Sequence, residues 1–276
     1  MGRSKAALRI FSFVSHSQGT KRLICQETLY PSMGMSPEMA KKAEERRCVT
    51  GIEGLDRIIG GGLPIGGTIL VAGICGSGKS SLGVEFLVRG AMMGEKGLLI
   101  STVHSAEKLM MSVPPLEFFE NKIVESGTLK MIEIEEVMKL AKLDHQLIDT
   151  EGAMHMLASI SSMVTAGSVK RLVIDSTTPL LMDMDPSAGR EFLKGLANML
   201  NQKKCTGIII SETSKCDAFE TIVADGIITL GNFERRGDIL RVIQVVKMSG
   251  AAHSRSRYVT DTTSLGLLLT PMLRGL

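Results

Sequence analysis

The stretch Gly73-Ile74-Cys75-Gly76-Ser77-Gly78-Lys79-Ser80 constrains this chain more than any other, because it fills every fixed position of the pattern Gly-x-x-x-x-Gly-Lys-Ser/Thr. Before it, Thr68-Ile69-Leu70-Val71-Ala72 is a short apolar run of the kind that forms a buried strand. After it, between Ser80 and Met93, Leu82, Phe86, Leu87 and Met92 recur at helical spacing. The glycines let the backbone turn so that successive N–H groups converge on one concavity, and a helix starting at Lys79 adds the positive end of its dipole. A loop built this way cradles polyphosphate. The pattern places Lys79 on the β and γ phosphates and the Ser80 hydroxyl on Mg²⁺, with Gly73, Cys75, Gly76, Ser77, Gly78 and Ser81 around the phosphates. The cofactors it implies are ATP and Mg²⁺.

A length of 276 residues suits one α/β domain of up to about 250 residues plus an appendage. Hydrophobic residues make up 44% of the chain, aromatics only 4%, and there are 18 methionines, so the core is expected to be aliphatic and thioether packing. No apolar run approaches the roughly 18 residues that span a bilayer, and a soluble cytoplasmic protein is expected. The five cysteines, Cys25, Cys48, Cys75, Cys205 and Cys216, are odd in number and show no C-x-x-C spacing, which fits free thiols in a reducing compartment.

Net charge is +3, and residues 1–47 carry nine Lys/Arg against four Asp/Glu, leaving 23 against 25 for the remainder. The main domain is therefore slightly acidic. A surface that grips nucleic acid through phosphate contacts carries a basic face, so nucleic acid is not an expected partner.

Residues 1–26 contain no acid, which is transit-peptide-like in composition, although Ile10–Val14 is too short for a secretory core. A disordered extension over 1–47, or a start assigned upstream of Met33 or Met35, is the expectation here. Ser36 and Pro37 read as cap and first position of a helix running to Arg47. The domain proper is placed at 48–276.

Beyond the phosphate loop the chain alternates. Leu98–Thr102 and Leu129–Glu133 read as strands, and Asp149–Val164 as a helix with Met154, Leu157, Ile160 and Met163 inward. Arg171-Leu172-Val173-Ile174-Asp175 is an apolar run closing on an acid, which reads as the strand whose Asp175 helps to hold Mg²⁺. Ala188–Gln202 is a further helix and Gly207–Glu212 a fifth strand with polar residues at its end. Strands at Gly226–Leu230, Ile239–Met248 and Tyr258–Asp261 follow, with Phe233–Asp238 as a hairpin turn. The order predicts an α/β fold: a mostly parallel sheet flanked by helices, closed by C-terminal β-hairpins.

Thr50-Gly51-Ile52-Glu53-Gly54-Leu55-Asp56, then Gly60-Gly61-Gly62-Leu63-Pro64-Ile65-Gly66-Gly67, then the phosphate loop, resembles the start of a KaiC-type ATPase domain of the RecA superfamily of P-loop NTPases. The likeness extends over residues 49–270. It implies a RecA-like fold, Mg-ATP, and a homo-oligomer, a hexameric ring in the family. Ser211 and Glu212 then stand where a strand-end pair faces the γ-phosphate, and Lys247, Gly250 and His253 match the segment that reaches the neighbouring subunit's nucleotide.

The departures from that pattern carry the functional expectation. Where the family has two adjacent glutamates past the second strand, one of them activating water, this chain has Val103-His104. Ser249 stands in place of an arginine that neutralises transition-state charge, and Ala251 in place of a hydroxyl residue. His104, whose imidazole ordinarily titrates near pH 6.5, and Glu107 are the candidate catalytic residues that remain. A positioned base supplies about 10² to 10⁴-fold and an arginine finger about 10³ to 10⁵-fold. Losing both while keeping Lys79, Ser80 and Asp175 predicts a protein that binds Mg-ATP and hydrolyses it weakly or not at all, with nucleotide occupancy controlling assembly or partner binding. The alternatives are an active ATPase working through His104 or Glu107, an autokinase, and a recombinase-like DNA-repair accessory protein. The last would need a long basic loop where Glu212–Asp225 is short and holds only Lys215.

Overall fold

The computed structural model describes residues 47–272 apart from 106–107, 110–115, 118, 121, 144–146, 213–218 and 236. Strand β1 (Arg47–Cys48) pairs antiparallel with β2 (Leu63–Pro64) and brings the first described residues onto the body of the domain. Among the described residues, β3 (Thr68–Gly73), β4 (Gly97–Ser101), β5 (Leu129–Glu133), β6 (Arg171–Asp175), β7 (Thr206–Ser211), β8 (Gly226–Arg235), β9 (Asp238–Met248), β10 (Arg257–Thr263) and β11 (Gly266–Pro271) form one nine-stranded sheet. Its order is β11-β10-β9-β8-β3-β7-β6-β4-β5. The half from β8 to β5 is parallel, and β8 to β11 are antiparallel neighbours.

The helices are α1 (Glu53–Ile59), α2 (Lys79–Met92), α3 (Lys122–Glu125), α4 (Ile134–Ala141), α5 (Thr150–Gly167), α6 (Thr177–Met182), α7 (Pro186–Lys203) and α8 (Phe219–Val223). They cover both faces of the parallel half, and this is why β3, β4 and β7 are continuous apolar runs, buried along their whole length. Successive residues of β3 serve opposite cores: Leu70 and Ala72 face α4, α5 and α7, while Ile69 and Val71 face α1 and α2. Helix α2, packed on one face of the sheet and tied to the β10–β11 hairpin through Glu85 and Arg89, buries Leu82, Phe86 and Leu87, each worth about 1.5–3 kcal/mol.

The Thr50–Asp56 segment owes its composition to a local turn. The Asp56 carboxylate accepts from Thr50 N (2.9 Å), Thr50 Oγ1 (2.8 Å) and Gly51 N (3.0 Å), which closes the entry to α1. Leu55, Ile58 and Ile59 are buried on one face of that helix, as their spacing predicts. Gly60, Gly61 and Gly62 all take positive φ, and a Cβ on Gly62 would lie 2.6 Å from the Cys48 carbonyl oxygen.

Four expectations are corrected. Arg47 belongs to β1 and does not end a helix; the rest of the predicted helix from Ser36 lies outside the described residues, as does the extension before it. On α5 the buried stripe is Gly152, Ala153, Met156, Leu157, Ile160 and Val164, so Met154 is exposed and Met163 only half-buried. The two stripes share Leu157 and Ile160, and packing in the core with α7 puts Ala153, Met156 and Val164 inward in place of Met154 and Met163. Met92, at the end of α2, is also exposed. The β8–β9 hairpin is tighter than predicted, with β8 running to Arg235 and Gly237 at φ 87° in the turn. The final hairpin gains a strand, β11, that the sequence reading did not anticipate. Among the described residues no helix is long and apolar enough to cross a membrane.

Candidate functional site

The register of the parallel strands assembles the site at their carboxyl ends. Gly73 lies beside Leu230, Ala72 beside Ser211, Ile210 beside Asp175, and Asp175 beside Ser101. The loop after β3 therefore faces the ends of β7, β6 and β4.

Inside the loop, the Ile74 carbonyl is the shared acceptor. It takes hydrogen bonds from Ser77 N (3.3 Å), Ser77 Oγ (2.8 Å) and Lys79 Nζ (2.8 Å). Gly76 and Gly78 adopt φ of 74° and 96°, left-handed values that L side chains rarely take. A Cβ on Gly76 would meet nothing within 4 Å, whereas one on Gly73 would fall 2.1 Å from the Leu230 carbonyl oxygen. The first glycine is thus required by the β3–β8 approach and the later ones by the turn. Gly78 caps α2 without a side-chain hydrogen bond, leaving the first N–H groups of a 14-residue helix directed into the concavity. Ser77 is buried, Ser81 half-buried in the first helical turn, and Cys75 exposed at the rim. Cys48 and Cys205 are buried free thiols, while Cys25 and Cys216 lie outside the described residues.

Lys79 is only 6% exposed, and burial lowers its pKa below the ordinary lysine value, against the opposing influence of Glu212, Cys75 and Asp175. Asp175 moves the other way. Burial raises its pKa, while a hydrogen bond from the Ser80 hydroxyl and the charges of Lys79 and His104 lower it and Glu212 raises it further. Lys79, Ser80, Asp175, His104 and Glu212 therefore share one electrostatic neighbourhood. A half-buried carboxylate beside a serine hydroxyl is a hard-oxygen donor set of the kind Mg²⁺ takes alongside phosphate oxygens and water. Among the described residues no group of three or more His, Cys, Asp or Glu forms an all-protein metal cage. The residues fit Mg-ATP.

The ends of β4 and β6 are braced by a residue that sequence reading passed over. Thr102 Oγ1 accepts from Ser176 N and donates to Ser176 O, both at 2.8 Å, and Thr102 N donates to Asp175 O at 2.9 Å. Ser101 Oγ donates to the His104 carbonyl at 2.5 Å and closes the turn that presents Val103 and His104. Val103 is 56% exposed there. Thr178 Oγ1 accepts from Glu212 N at 2.9 Å. The available signal was a hydroxyl residue at or just past the end of each strand facing the loop: Ser101-Thr102, Ser176-Thr177-Thr178 and Ser211. Glu107 lies outside the described residues, as does Lys215.

Lys247 and His253 sit elsewhere. Lys247 pairs with Ile227 and Met248 with Gly226, about 10 Å down β8 from Leu230 and toward the opposite end of the sheet. Lys247 Nζ donates to Ala224 O at 2.5 Å, and His253 Nε2 is enclosed with no hydrogen-bond partner among the described residues. The turn between them carries exposed Ser249 and Gly250 at φ 67°, and Arg47 donates to the Gly250 carbonyl. Within one subunit these residues and the phosphate loop are separate.

The family model described as "ATPase: KaiC" matches residues 48–272. A UPF0273 protein of Pyrococcus furiosus is 30% identical over 238 residues, covering 82% of this chain and 94% of the relative. The circadian clock protein KaiC2 of Synechocystis is 29% identical over 236 residues, covering 82% of this chain but 40% of that longer protein. The solved structure of a KaiC-like protein from Pyrococcus horikoshii superposes with a TM-score of 0.68 at 26% identity, covering 82% of this chain and 99% of that one.

Proposed function

The chain belongs to the KaiC family of ATPases, and we propose that it is a Mg-ATP-binding regulatory protein with weak or absent hydrolysis, whose nucleotide occupancy controls its assembly or a partner's binding. What supports this reading is a phosphate loop that fills every fixed position of its pattern, beside a turn past β4 that lacks the two glutamates of the family pattern. Lys79, Ser80 and Asp175 are mutually placed, while the turn past β4 presents the exposed, apolar Val103 and the His104 imidazole instead of carboxylates.

In this reading the loop N–H groups and Lys79 hold the phosphates, and Ser80 with Asp175 holds Mg²⁺, which supplies charge neutralisation on the phosphoryl oxygens. Thr102 and Ser101 fix the strand ends, and Thr178 positions Glu212. Lys247 and His253, remote from the loop of their own subunit, serve a neighbour's nucleotide across a homo-oligomeric interface, in keeping with the ring assembly the resemblance implies. Ser249 carries no charge there, so the contact contributes ground-state binding more than rate.

A second reading is a slow ATPase in which His104 takes the proton from water, favoured by its charge coupling to Asp175. Titrating the purified protein with Mg-ATP while following mass by light scattering and released phosphate separates the two. The proposal expects saturable binding and a change of mass with little phosphate; brisk release that His104→Ala abolishes would replace it with the histidine-assisted enzyme.

A further inference from the structure

Glu220, on α8, is 4% exposed, and among the described residues no ion pair involves it. A carboxylate taken this far from water is costly unless its oxygens are hydrogen-bonded. Here both are. Oε1 lies 2.5 Å from Thr177 Oγ1 and Oε2 accepts from Ser211 Oγ at 3.1 Å. Thr177 is two residues past Asp175, and Ser211 immediately precedes Glu212, so the carboxylate is bonded to the ends of the two strands that carry acids into the site. Ser211 Oγ also lies 3.4 Å from Thr178 Oγ1, which in turn takes the Glu212 N–H.

The other end of the same short helix leads to the segment that holds Lys247. Ala224 N donates to Glu220 O at 3.2 Å, Ala224 O accepts from Lys247 Nζ, and Asp225 O accepts from Ser249 N at 2.8 Å. Asp225 is itself fixed to the start of β3, through Asp225 N to Thr68 O at 2.7 Å and Thr68 N to Asp225 Oδ2 at 3.0 Å.

From this connectivity we propose that Glu220 is a positioning residue that couples the phosphate end of the nucleotide site to the Lys247–His253 segment, so that α8 transmits whether the bound nucleotide is a tri- or a diphosphate. It rests on the nucleotide reading given above. The physical basis is the cost of the alternative: a shift of Ser211 and Glu212 around a terminal phosphate would leave the Glu220 oxygens unpaired in a low-dielectric interior unless α8 follows. When α8 follows, the carbonyl of Ala224 moves and Lys247 moves with it, while Asp225 stays anchored to β3.

The test uses the full chain with Glu220→Leu, Glu220→Gln and Ser211→Ala. Leucine removes the buried acceptors yet leaves the Thr177 hydroxyl an acceptor in Ile210 O, at 3.0 Å. Glutamine keeps the network, its amide oxygen accepting from Thr177 and its NH₂ donating to Ser211. Affinities for Mg-ADP and for a non-hydrolysable Mg-ATP analogue are measured by calorimetry, and mass in solution with each nucleotide by light scattering.

The expected result is Mg-ADP affinity close to the parent's in Glu220→Leu, and in both Glu220→Leu and Ser211→Ala a triphosphate preference reduced about fivefold or more with the nucleotide-dependent change of mass lost. Glu220→Gln should behave as the parent does. A leucine variant that keeps both the preference and the mass response overturns the proposal. So does one that loses both nucleotides in parallel with its melting temperature while Ser211→Ala behaves as the parent, since that describes a purely structural carboxylate. A parent that binds neither nucleotide overturns the nucleotide reading itself, and this inference with it.

Discussion

Lys79 donates its ammonium to the carbonyl of Ile74, five residues back in the same loop, at 2.8 Å. In the protein alone this bond holds the charge that a nucleotide would otherwise receive, so binding must exchange one carbonyl oxygen for phosphate oxygens. The exchange favours phosphate because the ammonium then meets an anionic oxygen in place of a neutral carbonyl and gains an ion pair as well as a hydrogen bond. Lys79→Ala is therefore expected to weaken Mg-ATP binding by about two orders of magnitude, which calorimetry on both proteins would read. Because burial already disfavours the ammonium, the variant without ligand should melt no lower than the parent. Equal affinity in the two would remove the nucleotide assignment.

Asp175 gives the pH dependence. Its pKa is raised by burial, so in the folded protein without ligand it protonates at a higher pH than an ordinary aspartate. Its contribution to stability is present below the ordinary carboxylate range and is lost as pH rises through the raised folded value. Metal binding runs in the opposite sense, because Mg²⁺ requires the ionised form. As pH falls from neutral, the Mg²⁺-dependent part of nucleotide affinity should decline before ordinary surface carboxylates titrate. Measuring affinity against pH with and without Mg²⁺, in the parent and in Asp175→Asn, checks this; a parent whose Mg²⁺ effect is flat down to the ordinary aspartate range contradicts it.

Much of this was legible before the structure because the phosphate loop fixes what surrounds it. A strand must precede it and a helix must follow, and the apolar runs at 98–102, 171–175 and 207–212 could only be buried parallel strands around it. The choice between stripes on α5 was not legible, since it depends on which helix packs opposite. Nor were the hydroxyls of Thr102, Thr177 and Thr178, which become partners only through strand register. The Thr50–Asp56 motif carried the resemblance, yet its chemistry is local, an aspartate closing a turn.

Arg171 joins these levels at the base of the sheet. Its guanidinium, 1% exposed, pairs with Glu95 at 2.6 Å, donates to the carbonyls of Phe86 (2.7 Å), Val49 (2.7 Å) and Thr50 (3.2 Å), and lies 4.5 Å from the Phe86 ring centroid. Gly90 leaves room for it, since a Cβ there would fall 2.3 Å from Arg171 Cδ. Gly90→Ala must push this side chain out of its bonds, and Arg171→Lys cannot reproduce a planar fork. Each is expected to lower stability, by about 1–3 kcal/mol for each buried carbonyl bond lost, the ion pair itself adding little because Glu95 is 39% exposed. Urea unfolding of each single variant reads the loss, and wild-type midpoints would show that the interior accommodates either change.

The proposal that turnover is limited by the turn past β4 can be tested by placing carboxylates there. Val103 and His104 occupy the turn past β4 that Ser101 closes, on the same side of the sheet as Asp175 and Lys79. Ser249 lies toward the other end of the sheet, with its N–H on Asp225 O. If weak turnover reflects these positions alone, Val103→Glu with His104→Glu should raise ATP hydrolysis at any protein concentration, because both act on the nucleotide of their own subunit. Their gain is bounded by the about 10² to 10⁴-fold that a positioned base supplies. The arginine of Ser249→Arg cannot reach that nucleotide, so its contribution should appear only as subunits associate and should grow with concentration. Steady-state phosphate release across a dilution series separates the two behaviours. A Ser249→Arg gain that persists in monomers would show that the turn serves its own subunit, and no gain from either glutamate would show that the turn past β4 does not deliver a base to the phosphates.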